Sequence, residues 1–133
     1  MTELPDLPEE MAAYLEPYYV EPFGEVPPVP RERMETGARL DLEFNTLQEA
    51  QRARALFSDV FDEKTSQLFA LAMLADEGGP GSYWHARAAR RYGASWEELY
   101  KVVEIATFFR GFGALMSAGR AVGRVWKEEN GEA

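Results

Sequence analysis

Apolar positions along the chain recur at three- and four-residue spacing, and most of these runs are bounded by a capping or turn signal. Met11, Tyr14, Leu15 and Tyr18 form one face. They predict a short helix from Pro8 to Tyr18, with Pro8 as its first residue and Glu9 and Glu10 where the helix dipole favours acids. Thr46-Leu47-Gln48-Glu49 fits a capping box that opens a helix to about Ser58, with Leu47, Ala50, Phe57 and either Ala53 or Arg54 inward. Asp62 is placed to cap a helix over 63–76. Leu68, Phe69, Leu71, Ala72, Met73 and Leu74 make it apolar nearly all round, which predicts a central, buried element. Next comes a glycine turn, Gly78-Gly79-Pro80-Gly81, and a helix from His85 to Tyr92. Ser82 is its expected N-cap, His85 lies on the inward stripe with Ala88, Ala89 and Tyr92, and Gly93 closes it. Ser95-Trp96-Glu97-Glu98 is a second capping box. It starts a helix over 96–110 with Leu99, Val102, Val103, Ala106 and Phe109 inward. Gly111-Phe112-Gly113 interrupts the pattern. A last helix, from about Ala114 to Lys127, carries the small residues Ala114, Ala118, Gly119, Ala121 and Gly123. Their spacing lets another helix approach closely, within the chain or across an interface.

Residues 17–37 break the periodicity with Pro17, Pro22, Pro27, Pro28 and Pro30. Proline lacks a donor and fixes φ, so this stretch reads as an extended arm. It also carries Tyr18, Tyr19, Val20, Phe23 and Val26, too apolar for a solvated linker. The arm is expected to pack along its own body or a neighbouring subunit; a flexible tail is the alternative. Arg39 to Phe44 alternates like a strand but has no partner. The fold class is all-α, with an acidic, proline-rich arm over 1–44 and a helical domain over 45–133.

Composition sharpens this. At 133 residues and 46% hydrophobic, the chain is long enough for one domain with a real core. There is no cysteine, which removes disulfides, thiolate chemistry and cysteine-ligated metals, and a single histidine argues against a zinc site. The net charge of −9 makes nucleic acid an unsuitable partner. Residues 1–44 carry 3 basic and 11 acidic side chains, a net of −8, while residues 45–133 carry 11 and 12, a net of −1. The start of the chain is acidic and proline-rich, unlike a secretory signal, and no apolar run is long enough to span a membrane. The expected location is the cytoplasm.

The only histidine, His85, is the natural centre for chemistry. A helix start offers free N–H groups and partial positive charge, which suit a carboxylate or enolate and disfavour imidazolium. A neutral His85 is then a base or a hydrogen-bond donor; the plainer reading is a buried histidine that packs its helix. Around it, Gln67 on the preceding helix is a candidate partner, and Ser82, Tyr83 and Trp84 are candidate ligand contacts. Arg110 is suited to hold a carboxylate in bidentate fashion or to serve the end of its own helix. Glu63, Lys64 and Glu104 read as solvated surface.

Asp62-Glu63-Lys64-Thr65-Ser66-Gln67-Leu68, then His85-Ala86-Arg87-Ala88-Ala89 and Tyr92-Gly93-Ala94-Ser95 before Glu97-Glu98-Leu99, resemble the carboxymuconolactone decarboxylase family, which includes alkylhydroperoxidase D and its relatives. The resemblance covers roughly residues 58 to 126. It implies an alkylhydroperoxidase D-like helical bundle and a homo-oligomer, either a trimer or a hexamer built as a trimer of dimers. Redox members carry a CxxC followed, after three intervening residues, by histidine; here Gly78 and Gly81 stand at the cysteine positions and His85 at the histidine position. Gln67 takes the place of a glutamate that many members carry. A thiol hydroperoxidase is therefore excluded on chemistry. What the resemblance implies instead is a cofactor-free decarboxylase-like lyase, acting on a small carboxylate or lactone, with His85 as its acid–base residue and no metal. Ile105 lies about where such decarboxylases carry a further histidine. The alternative is a non-catalytic oligomeric binding or scaffold protein.

Overall fold

The computed structural model describes residues 3–132, and all regular structure among them is helical. The chain forms two compact units, Met1–Val60 and Phe61–Ala133. The composition shifts after residue 44, whereas the units part after Val60.

In the N-terminal unit, the stretch expected to be extended is mostly helical. A short α1 (Glu9–Ala12) follows Pro8, which sits at the N-cap, one position before the expected one. A π-helical turn (Glu16–Val20) runs into α2 (Glu21–Phe23), which Gly24 ends at φ 86°. Next come α3 (Pro28–Leu40) and α4 (Leu42–Leu56). The prolines are compatible because they occupy first turns, whose N–H groups have no acceptor inside the helix. Pro28 and Pro30 are the first and third residues of α3, and its hydrogen bonding begins with the Arg31 N–H donating to the Pro27 carbonyl. Asp41 caps α4 by accepting from the Phe44 N–H at 3.1 Å, so Thr46 and Glu49 lie inside that helix and form no capping box. The residues expected to alternate as a strand, Arg39 to Phe44, span the junction of the two helices.

The C-terminal unit holds α5 (Glu63–Met73), α6 (Gly81–Arg91), α7 (Trp96–Arg110) and α8 (Phe112–Glu129). α5 packs on α6 and α7, and α8 packs on α6 and α7. The local punctuation works as expected at three places. The Asp62 carboxylate accepts from the Thr65 N–H at 2.7 Å. Ser95 and Glu98 complete a reciprocal capping box. Gly93, at φ 95°, closes α6, with the Ala94 N–H donating to the Ala89 carbonyl at 2.9 Å and the Gly93 N–H to Arg90 at 3.0 Å. The small-residue stripe of α8, with Ala114, Ala118 and Ala121, is buried in this core beside Val122 and Val125. α5 is not apolar-buried all round: Ser66, Gln67 and Leu71 face inward, while Phe69 and Met73 are exposed. In α7, Leu99, Val103 and Ala106 are buried, but Phe109 is exposed.

Candidate functional site

The hairpin of α5 and α6 builds the site. α5 ends at Met73, and the chain turns through Gly78, whose φ of 76° only glycine adopts readily. At Gly81 a Cβ would lie 2.8 Å from Leu74 Cδ1, so a larger residue there would have to displace the end of the Leu74 side chain. The expected N-cap is displaced. Pro80 occupies that position, and Ser82 is the second residue of α6; its buried hydroxyl donates to the Leu74 carbonyl at 2.9 Å. This bond ties the start of α6 to the end of α5. The Trp84 N–H already donates to the Pro80 carbonyl, so His85 is the fifth residue of α6, past the free N–H groups, rather than the third. The N-cap position thus lies at Pro80, two residues upstream of the expected Ser82.

What the hairpin brings together is His85 and Gln67. His85 Nδ1 lies 2.7 Å from Gln67 Oε1. An amide oxygen only accepts, so Nδ1 carries the proton and donates, and in the neutral ring Nε2 holds the lone pair. Gln67 is 0% exposed, and its other amide atom, Nε2, is buried without a hydrogen-bond partner in the described structure.

The remaining candidates are engaged elsewhere. The Tyr83 hydroxyl donates to Glu128 Oε1 at 2.6 Å and accepts from Arg87 Nη1 at 3.1 Å, while Arg124 lies 3.8 Å over its ring. Burial, and then the Glu128 hydrogen bond, hold its phenol above the ordinary range. Tyr83 therefore joins α6 to α8. Trp84 is half-buried, packs edge-on to Tyr83 at 5.1 Å between ring centroids, and lies under Arg87. Arg110 donates to both carboxylate oxygens of Asp76, at 3.1 and 3.2 Å, which fastens the end of α7 to the turn after α5. Lys64 pairs with Glu98 at 2.9 Å. The Glu98 carboxyl sits below its ordinary range, first because the Ser95 N–H donates to it and then because of Lys64. A cleft of about 510 Å³ between α6 and α8 is lined by Arg87, Arg90, Arg91, Val125, Glu128 and Glu129 and does not include the His85–Gln67 couple. Arg90 is committed there to Glu129 through two hydrogen bonds, at 3.0 and 2.8 Å.

Sequence reasoning missed a second polar cluster, in the N-terminal unit. Glu49 is buried and accepts from the Tyr19 hydroxyl at 2.7 Å and from Arg33. Arg52 stacks 4.1 Å over the Tyr19 ring and donates to the Tyr18 carbonyl at 2.8 Å. The signal for it was present: Asn45, Glu49 and Arg52 recur at i, i+4 and i+7, a polar stripe on a helix whose Phe44 and Leu47 are exposed. Among the described residues no group of three or more acidic or histidine side chains could hold a metal ion, and no helix is long and apolar enough to cross a membrane.

Comparison with known proteins agrees with this architecture. The carboxymuconolactone decarboxylase family model matches residues 44–123. A crystal structure of a Burkholderia xenovorans LB400 protein, provisionally named a carboxymuconolactone decarboxylase, matches with a TM-score of 0.75 at 21% identity, over 94% of this chain and 97% of that one. At that identity the likeness speaks for the fold. No curated protein matches the sequence significantly.

Proposed function

The chain belongs to the carboxymuconolactone decarboxylase family, and on that premise we propose that it binds a small carboxylate or lactone at His85 and decarboxylates it by cofactor-free acid–base chemistry. The observation that carries this reading is the 2.7 Å hydrogen bond from His85 Nδ1 to a fully buried amide oxygen. It fixes the ring and its tautomer, which directs any proton exchange to Nε2. Loss of CO2 from a carboxylated lactone leaves an electron pair on the ring system, and the carbon must then take up one proton. Nε2 is the group suited to deliver it, once its lone pair has bound a proton from solvent and the ring has become imidazolium. Gln67 is neutral and relays no proton, so the couple contains one titratable group rather than two. Ser82 and Trp84 enter as the frame that holds His85 against α5. Tyr83 and Arg110 frame the same unit through Glu128 and Asp76.

Release of CO2 from a carboxylated butenolide, followed with the purified chain and with His85→Ala, tests the reading. The expected result is turnover that falls at least about a hundredfold on substitution. Equal turnover by both proteins would remove His85 from the chemistry.

The same proposal includes a homo-oligomer, a trimer or hexamer, acting in the cytoplasm on a small molecule rather than on nucleic acid. Its support is the apolar surface of the C-terminal unit. Phe108 is 82% exposed, Phe109 76% and Phe112 71%, with Met73, Ile105 and Met116 also exposed. Apolar groups in this number mark an interface. Light scattering is expected to return a multiple of the 15.0 kDa chain mass, and a monomer at micromolar concentration would contradict it.

A further inference from the structure

We propose that the side-chain amide of Gln67 is itself a ligand donor: Oε1 holds His85 Nδ1–H, and Nε2 donates to the uncharged ring-carbonyl oxygen of a lactone. This rests on the reading of His85 above and names the group of the substrate that the site recognises.

The argument begins with a donor that lacks an acceptor. Native interiors pair their buried polar groups, and an exception calls for a specific account. Among the described residues, Thr46 Oγ1 and Gln67 Nε2 are buried side-chain atoms without a partner. They are not equivalent. A threonine hydroxyl rotates freely and can turn back to a carbonyl of its own helix. The Gln67 amide cannot turn, because its oxygen is already held by His85 and the amide plane moves as one piece. Its Nε2 protons need an acceptor supplied from outside the described chain.

The nature of that acceptor follows from the charges. A carboxylate accepts more strongly than a carbonyl, but Gln67 is fully buried and an amide adds no positive charge to offset the cost of bringing an anion there. The cations that α5 and α7 offer for a carboxylate are occupied: Lys64 is paired with Glu98, Lys101 with Glu104 and Arg110 with Asp76. A neutral carbonyl oxygen suits a neutral donor. The fit also serves the reaction. As the bond between the ring carbon and the carboxylate carbon breaks, its electron pair moves through the conjugated lactone onto the carbonyl oxygen, and CO2 leaves. The hydrogen bond from Nε2 strengthens as that charge develops and is in place beforehand. His85 Nε2 first binds a proton from solvent, which makes the ring imidazolium; when the carbon takes that proton the carbonyl re-forms and the ring returns to its neutral Nδ1–H form. One proton from water and one carboxylate become a C–H bond and CO2.

Proton–nitrogen spectra of the isotope-labelled full chain test this directly, with a butenolide, a carboxylated butenolide and acetate as probes. Gln67→Glu keeps an oxygen toward Nδ1 and removes the donor. Its spectrum identifies the Gln67 amide pair by absence, and it should bind the lactones about tenfold more weakly. The expected result is that both lactones shift the Gln67 amide and the His85 ring, whereas acetate shifts the amide far less. If the lactones move the His85 ring but leave the Gln67 amide still, this proposal is overturned while the role of His85 stands; an ordered water would then be the acceptor. If neither responds to any probe, both fall. If acetate shifts the amide as strongly as the lactones do, the carbonyl assignment is wrong. Should Gln67→Glu not fold, Gln67→Met supplies the assignment, and the unmodified protein still decides the outcome.

Discussion

Glu49 and Gln67 are both polar, both buried and both in the interior of a helix, yet their surroundings treat them differently. Glu49 carries a charge, and the N-terminal unit answers it on both oxygens, with the Tyr19 hydroxyl on one and Arg33 on the other. Gln67 carries none, and the C-terminal unit answers only half of it, through His85. A buried charge left unpaired is costly enough that a chain retains it only with partners. A half-paired amide costs less and can be tolerated where a ligand completes it. The first arrangement holds the turns at 16–23 to α4 and α3. The second leaves a hydrogen-bond position open beside the one residue suited to move a proton.

Removing the two side chains should therefore have unequal effects. Glu49→Leu leaves the Tyr19 hydroxyl without its acceptor and Arg33 with only its long contacts to Asn45 and Tyr19, and should cost about 2–4 kcal/mol in denaturant unfolding, the larger values being checked by the partial exposure of Arg33. An intermediate effect comes from pH. Burial above all, opposed by Arg52 and reinforced by Glu49, lifts the Tyr19 phenol from 10.0 to about 12. The folded state thus holds this proton more tightly than the unfolded chain. The associated stability is whole below the unfolded value and is lost as pH rises from about 10 to about 12, a loss of roughly 2–3 kcal/mol. Tyr19→Phe should flatten that alkaline limb, as measured by unfolding at stepped pH. The smallest effect is expected at the functional couple: Gln67→Leu removes a donor that had no partner and strands only His85 Nδ1–H, so it should cost about 1 kcal/mol or less. A loss at Gln67 as large as that at Glu49 would erase the distinction between the two clusters.

The same contrast explains what the sequence discloses. The order of α5 to α8 is legible because their boundaries are set locally, by Asp62, by the Ser95–Glu98 box and by Gly93. Gln67 and His85 are legible as partners because a tight hairpin leaves few ways to pair two helices. The N-terminal unit is harder to read. Pro28 and Pro30 signal an extended arm until their place in a first turn is known, and Thr46-x-x-Glu49 spells a capping box although Asp41 has already capped that helix. Likewise, the partners of Tyr83 and Arg110 are Glu128 and Asp76, 45 and 34 residues away, and nothing local announces them.

The central claim is that the Gln67 carbonyl holds His85 in one tautomer and thereby makes Nε2 the reactive nitrogen. The chain has a single histidine, so its ring nitrogen chemical shifts, recorded where the imidazole is uncharged, report that tautomer without ambiguity. The account predicts the proton on Nδ1, and a loss of that preference in Gln67→Leu. A ring protonated mainly on Nε2, with no response to substitution at Gln67, would contradict it.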